Sequence, residues 1–443
     1  MHSPSFGIFL VFLAAGAAVS QETVANNTRP QNLVVSIPLE SALNLNIRRK
    51  ESSTCLETNV KRARMRVKLF EKVAANKTTF ANQSRGLNRK FKSKLVGNSA
   101  SLENDGDTIY MASVMFGSQT FLMDLDTGSA DTWVRGINCK RGKIDKENNQ
   151  DSCRGARFDP LKDSSVSSLG RPFHLEYGIG AVDGNIYSAH IAFGNRSVRM
   201  PVGVSTFEDD LDDSSDGVLG LAFNSISRIS DALGGVSANF MDLMASETQT
   251  KNIISFYLSN SRDKELGQVT IGGYDPSKTT GPFQSFPLES RDFWSINFKG
   301  ARFAVGSDLV QAQGAASKAF VDTGTTLMIV DRSVADGIHE MLTGAFYDKE
   351  AGAYRFKDCK RALQNPPVSL LLHGAVFKIP ASIYVIQGSA NDCYSGIGAG
   401  SDQVAILGDT FLRTFVTVFD KENMKIWFVA ANHTSARMSS IRK

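Results

Sequence analysis

The chain has 443 residues, 42% of them hydrophobic and 21% charged, with a formal net charge of +4. That length allows two or three domains and a sizeable buried core, and no apolar run after the N-terminal one reaches the length of a membrane-spanning helix. The small net charge hides an asymmetry: Gln21 to Ala100 carries 16 Lys and Arg against 5 Asp and Glu, net +11, whereas Ser101 to Lys443 carries 33 against 40, net −7.

Phe6 to Val19 is an apolar run too short to span a bilayer, followed by A-x-S at Ala18 to Ser20, and it reads as a signal peptide over residues 1–20. The basic segment, 21–95, opens with an alternating Leu33 to Leu39 that predicts a strand, and continues through RRKESSTCLETNVKRARMRVKLFEKV, which predicts a charged helix. It ends in a polar stretch with the dibasic pair Arg89 and Lys90, an exposed and cleavable junction. A basic arm alone would suit nucleic acid or an anionic membrane, but here the acidic remainder of the same chain is its nearest partner. Neither a nucleic-acid partner nor a membrane anchor is expected.

Beyond Asp107 short runs rich in β-formers alternate with Gly, Asn, Asp and Ser, which predicts an all-β body. In a secreted chain, pairing by proximity joins Cys139 to Cys153 and Cys359 to Cys393 across loops of 15 and 35 residues, leaving Cys55 in the basic segment. Sequons at Asn26, Asn76, Asn82, Asn195 and Asn432 agree with secretion. The acidic run Glu208 to Asp216 lacks the spacing of a calcium loop, and no Cys/His cluster has zinc spacing, so no metal or cofactor is expected.

One pattern occurs twice in this body. LMDLDTGSADTWV is followed, 94 residues after Asp126, by Gly220 in DGVLGLAF, and KAFVDTGTTLMIV is followed, 86 residues after Asp322, by Gly408 in VAILGDTF. Two copies imply two lobes of one design, 96–280 and 281–443, related by a pseudo-twofold axis that brings both Asp-Thr-Gly turns to the lobe interface. Two carboxylates held close cannot both ionise, so one keeps a proton as an acid while the other serves as a base for a bound water. The flanking residues suit that chemistry. Gly128 and Gly324 permit close backbone approach, Thr127 and Thr323 can bond across the turns, and Ser129 and Thr325 can donate to the outer carboxylate oxygens.

With HLEYGIGAVDG, SSDGVLGLAF, GQVTIGGYDPSKTTG, FWSINF and AILGDTFLRTFVTVFD in the same order, the chain from about Asp107 to Ala431 resembles the pepsin-like aspartic proteases. The resemblance implies a bilobal all-β fold and an acid endopeptidase cutting between hydrophobic residues of protein and peptide substrates, with Asp126 and Asp322 as the catalytic pair. It implies a flap carrying Tyr177 and Gly178, with Tyr177 bonded to Trp133, and substrate contacts from Gly128, Gly324 and Thr325. Thr127, Ser129, Thr323, Trp133 and Asp124 would support the pair, while Asp131 supports the turn or faces solvent. The basic segment becomes an inhibitory propeptide and the chain a monomeric zymogen, secreted or sent to an acidic vacuole. The D-x-D-T-G-S-x-D-x-W pattern is similar to fungal members. Ala130, Ile179 and Ala181 depart from the family's polar residues and make the flap and first pocket more apolar. A catalytically inactive peptide-binding or inhibitor protein is the alternative that the same fold allows.

Overall fold

In the N-terminal half, strand Gln119–Asp126 runs parallel to Gly217–Gly220, with Asp126 in register with Gly220, and Trp133–Asp145 flanks the inserted strand antiparallel. The C-terminal half repeats the arrangement: Lys318–Val321 runs parallel to Val404–Leu407, and Met328–Asp331 flanks that strand antiparallel. Each Asp-Thr-Gly turn therefore joins two strands held apart by a third that arrives some ninety residues later. The inserted strand ends on glycine for a steric reason. A Cβ on Gly220 would lie 2.5 Å from the carbonyl carbon of Ala130, and one on Gly408 would lie 3.0 Å from that of Thr325. Only a residue without a side chain lets the two backbones cross there.

These features come from a computed structural model that describes residues 59–64, 66–68, 70–71, 98–145, 150–177, 180–209, 211, 214–263, 265–388, 392–432 and 438–440. The signal peptide, the strand at Leu33 to Leu39, Cys55, the Arg89–Lys90 pair, Gly178, Ile179 and the sequons at Asn26, Asn76 and Asn82 lie outside them. All described residues belong to one compact unit, Leu33–Lys443. Its architecture is all-β and bilobal, as the sequence predicts.

The two halves are joined by pairing as well as packing. Ile253–Tyr257 pairs with Phe415–Asp420, which pairs with Lys425–Ala431, which pairs with Thr279–Pro287, all within one 14-stranded sheet. Phe415–Asp420 is buried at every position, so its sequence FVTVFD lacks the alternation of a half-exposed strand. Both disulfides form as read, with Cα separations of 5.4 Å for Cys139–Cys153 and 5.7 Å for Cys359–Cys393. Among the described residues no helix is long and apolar enough to cross a membrane.

Helical residues at 59–64, 66–68 and 70–71 fall inside the charged helix that the basic segment predicts. Val60, Ala63, Val67 and Phe70 recur at helical spacing and are all buried, in a cluster with Phe293, Phe320, Leu327, Ile329, Tyr394, Val404 and Ile406. That face of the C-terminal lobe lies beside the second Asp-Thr-Gly turn, so the helix is seated next to the candidate site.

Candidate active site

Asp126 and Asp322 are both fully buried, and each sits under the other's turn. A Cβ on Gly128 would approach Asp322 Oδ1 to 2.5 Å, and one on Gly324 would approach the Asp126 carboxyl carbon to 2.7 Å. The turns are tied reciprocally. Thr127 N–H donates to Thr323 Oγ1 at 3.0 Å and Thr323 N–H to Thr127 Oγ1 at 2.9 Å, while the two hydroxyls donate to Val321 O at 3.1 Å and Leu125 O at 2.5 Å. Within each turn a backbone N–H and a hydroxyl hold the carboxylate: Gly128 N–H at 2.8 Å and Ser129 Oγ at 2.6 Å on Asp126, Gly324 N–H at 3.0 Å and Thr325 Oγ1 at 2.6 Å on Asp322.

One cation joins them. Arg66 Nη1 donates to Asp126 Oδ1 at 3.0 Å and to both oxygens of Asp322 at 2.9 and 2.8 Å, and Nη2 donates to Asp126 Oδ2 at 2.8 Å. Asp126 thus faces both guanidinium nitrogens and Asp322 only one. Burial alone would push the Asp126 carboxyl up, but the Arg66 charge and hydrogen bonds, with Ser129 and Gly128, hold it below the usual carboxylate range. Asp322 goes the other way: burial, reinforced by the Asp126 charge and only partly offset by Arg66, pushes it up to about 6. On the same helix, Arg64 Nη2 donates to Gly352 O at 2.9 Å and Tyr347 Oη at 3.1 Å.

Above the pair stands a hairpin of Ser167–Glu176 and Ala181–Phe193. Tyr177 lies at its tip, where its N–H donates to Gly180 O at 3.0 Å, and Trp133 Nε1 donates to its hydroxyl at 2.6 Å. Phe173, Leu175, Val182, Ile186 and Ile229 pack with this pair into an apolar patch on the N-terminal side.

The family model described as Eukaryotic aspartyl protease matches residues 109–431. Gastricsin of Callithrix jacchus is 30% identical over 344 residues, covering 73% of this chain and 82% of that protein. Pepsin A of Gallus gallus is 30% identical over 336 residues, 73% of this chain and 85% of its own, and Pregnancy-associated glycoprotein of Equus caballus is 30% identical over 342 residues, covering 74% and 83%. The chain belongs to the aspartyl protease family.

In this family member the structure brings together Asp126, Asp322, Gly128, Gly324, Thr127, Thr323, Ser129 and Thr325, and separately Tyr177 with Trp133. Asp131 does not face solvent. It is 5% exposed and accepts from the Ser227 hydroxyl at 2.5 Å and from the N–H groups of Arg228 and Ile229 at 2.9 and 3.0 Å, so it secures the start of helix Arg228–Ala232. Its short side chain is spent on the orphan donors of a helix N-terminus. Asp124 is half-buried, and its charge acts on both Arg66 and Asp409.

Asp409, Arg66 and the aromatic residues under the helix do not stand out in the sequence. The Asp409 carboxyl is fully buried with no hydrogen-bond partner for either oxygen among the described residues, and burial first, then the charges of Asp124 and Asp322, push it far up against the pull of Arg413 and Arg66. For Arg66 a signal existed: it follows Ala63 by three residues and precedes Phe70 by four, which places a cation on the helix's apolar stripe.

Proposed function

We propose that the chain is the zymogen of a pepsin-like aspartic endopeptidase that hydrolyses peptide bonds between hydrophobic residues at acidic pH. The observation that carries this reading is the pair Asp126 and Asp322, buried beneath each other's glycines and close enough for one guanidinium nitrogen to bond both. With Arg66 gone, its place between the carboxylates suits a water molecule. One carboxylate takes a proton from that water as its oxygen attacks the scissile carbonyl, the other donates to the carbonyl oxygen, and the proton then passes to the leaving nitrogen as the C–N bond breaks. As a coupled pair the two carboxyls titrate together. Tyr177 and Gly178 close over the substrate with Trp133 behind them, and Asp124 tunes the pair from below.

Residues 1–20 act as signal peptide and 21–95 as propeptide, with 96–280 and 281–443 as the lobes. The propeptide inhibits by placing Arg66 on the dyad, and acid releases it for self-cleavage. The mature enzyme works as a monomer, secreted or in an acidic vacuole, and its subtype is fungal on the D-x-D-T-G-S-x-D-x-W pattern.

Haemoglobin digestion across pH by the wild type, Asp126→Asn and Asp322→Asn tests the reading. Wild-type cleavage at acidic pH, blocked by a statine-type inhibitor and abolished by either substitution, is expected. Activity surviving either substitution overturns the mechanism, and a wild type that binds peptides without cutting them replaces the enzyme with a binding protein. Precursor that stays intact in acid and matures only with a dibasic-specific protease refutes self-cleavage.

A further inference from the structure

The hairpin that carries Tyr177 is lightly built. Ser167–Glu176 is the last strand of its sheet and pairs with Ala181–Phe193 alone. Its ladder is interrupted between Ser168 and Pro172, and the ladder of Ala181–Phe193 with Arg196–Asp209 is interrupted between Asp183 and Gly184. The five rungs from Pro172 with Asn185 to Glu176 with Ala181 therefore lean on side-chain pairs more than on the sheet behind them. Their inner face is apolar, with Phe173 and Leu175 buried in one cluster with Val182, Ile186 and Ile229.

The outer face carries charge. His174 and Asp183 are direct partners across the ladder, and His174 Nδ1 lies 2.8 Å from Asp183 Oδ1. Its Nε2 lies 3.7 Å from Glu176 Oε1, two residues along the same strand. Among the described residues no other charged group faces the imidazole. Arg196–Asp209 sets Phe207 opposite Asp183 and bonds its carbonyl through Thr206 Oγ1 at 3.4 Å. The helix Arg228–Ala232 lies against the inner face through Ile229, and there Arg228 pairs with Asp231 at 3.4 Å. A neutral imidazole has one N–H to give, whereas a charged one has two and can hold both carboxylates at once. The Asp183 hydrogen bond, followed by the charges of Asp183 and Glu176, holds the imidazole above its usual value against slight burial. With the value raised, the contribution to the closed ladder is fully present below about pH 6.5 and is lost as pH rises through the raised value.

We infer that His174 is a positioning residue of the flap: in its charged form it clips the two strands about 7 Å behind the last rung and keeps Tyr177 ordered in acid. Above neutral pH the clip slackens. Its effect on substrate rests on the endopeptidase reading, while the clip itself does not. An exposed cross-strand pair of opposite charges is worth about a twofold to fivefold shift in such an equilibrium.

Two measurements test it. The first is hydrogen exchange followed by mass spectrometry on full-length wild type and His174→Gln at pH 6.0 and 8.5. At pH 6.0 the peptide spanning the flap exchanges about twofold to fivefold more slowly in wild type, and at pH 8.5 the two proteins exchange alike. Equal exchange at pH 6.0, or a ratio that stays the same at pH 8.5, overturns the inference. The second compares self-converted wild type, His174→Gln, Asp183→Asn and the double variant on one fluorogenic peptide at pH 5. Each single substitution raises KM about twofold to fivefold at unchanged kcat, and the double variant is no worse than His174→Gln. An unchanged KM, or a fall in kcat in its place, overturns the positioning role and leaves the endopeptidase reading standing. The expected exchange ratio in a protein whose wild type cleaves nothing keeps the clip and overturns the endopeptidase reading.

Discussion

Arg66→Met keeps the length and apolar stem of the side chain but removes its charge and its donors. It deprives two buried carboxylates of the four contacts of 2.8 to 3.0 Å that Arg66 makes with them. Breaking a buried ion pair from one side costs about 3–5 kcal/mol, because the remaining charge stays uncompensated. If that penalty falls on the helix-seated state, the ratio of released to seated helix rises by roughly 10² to 5 × 10³. The pH dependence follows from the same contacts. Asp126 has a depressed carboxyl, so its contribution to the seated state is present above the ordinary carboxylate pKa and lost as pH falls through the depressed value. Burial and the Asp126 charge raise Asp322 to about 6 although Arg66 pulls it down, so this contact too favours the seated state when Asp322 is ionised and is lost as pH falls through about 6. Wild-type precursor therefore has to be taken below about pH 4 before the Arg66–Asp126 pair opens, the reference for an ordinary Asp being about 3.9. Arg66→Met precursor should convert already at pH 5 to 6. The assay holds purified precursor at stepped pH and follows the mature band on gels together with cleavage of a fluorogenic peptide. A conversion midpoint in Arg66→Met equal to that of wild type would falsify the assignment of Arg66 as the inhibitory group.

Three further outcomes are expected. His339 is buried, stacked on Tyr354 at 3.7 Å, and burial pushes it down to about 4, so charging it opposes folding progressively from pH 6.5 to 4, by about 3 kcal/mol in all. His339→Phe should flatten that part of the stability–pH curve in urea melts, and parallel curves for the two proteins would contradict it. Removing the Cys359–Cys393 bridge as a double serine variant should lower unfolding free energy by about 3–4 kcal/mol, and a loss under 1 kcal/mol in denaturant titrations would rule out loop closure as its contribution. Thr323→Val removes the acceptor of Thr127 N–H and the donor to Leu125 O and should lower kcat at least tenfold, whereas Thr323→Ser should restore it; equal loss in both would point to packing instead.

What is legible in the sequence is whatever recurs or pairs locally. The doubled Asp-Thr-Gly and its trailing Leu-Gly announce both lobes, and the structure supplies the reason for the glycine: Gly220 and Gly408 end strands that cross a turn backbone with no room for a Cβ. The cysteine pairs are close enough in the chain to be matched by distance alone. Arg66 is hidden among many cations of the basic segment, since which one reaches the dyad depends on where the helix docks. Phe293 and Phe320 read as ordinary strand aromatics because the ring that they enclose lies more than 200 residues earlier. The solvent-facing alternative for Asp131 fails for a related reason: the donors that it serves, at Ser227 to Ile229, are almost a hundred residues on.

The reciprocity of the two turns also decides what the helix does and does not contribute. Each threonine takes an N–H from the other half and gives its proton to a carbonyl of that half, so the spacing of the two aspartates is set by backbone on both sides of the interface. Arg66 is not needed to bring the carboxylates together. It occupies a site that the body has already built, and what it alters is charge. The turns themselves are nearly symmetric, one N–H and one hydroxyl per carboxylate. Inequality between Asp126 and Asp322 has to come from outside them, and the source at hand is the guanidinium, which grips Asp126 with two nitrogens and Asp322 with one. When the helix leaves, that source goes with it. A dyad built from a duplicated turn is thus made unequal by the seated helix, and activation removes the cation together with the inequality that it imposes.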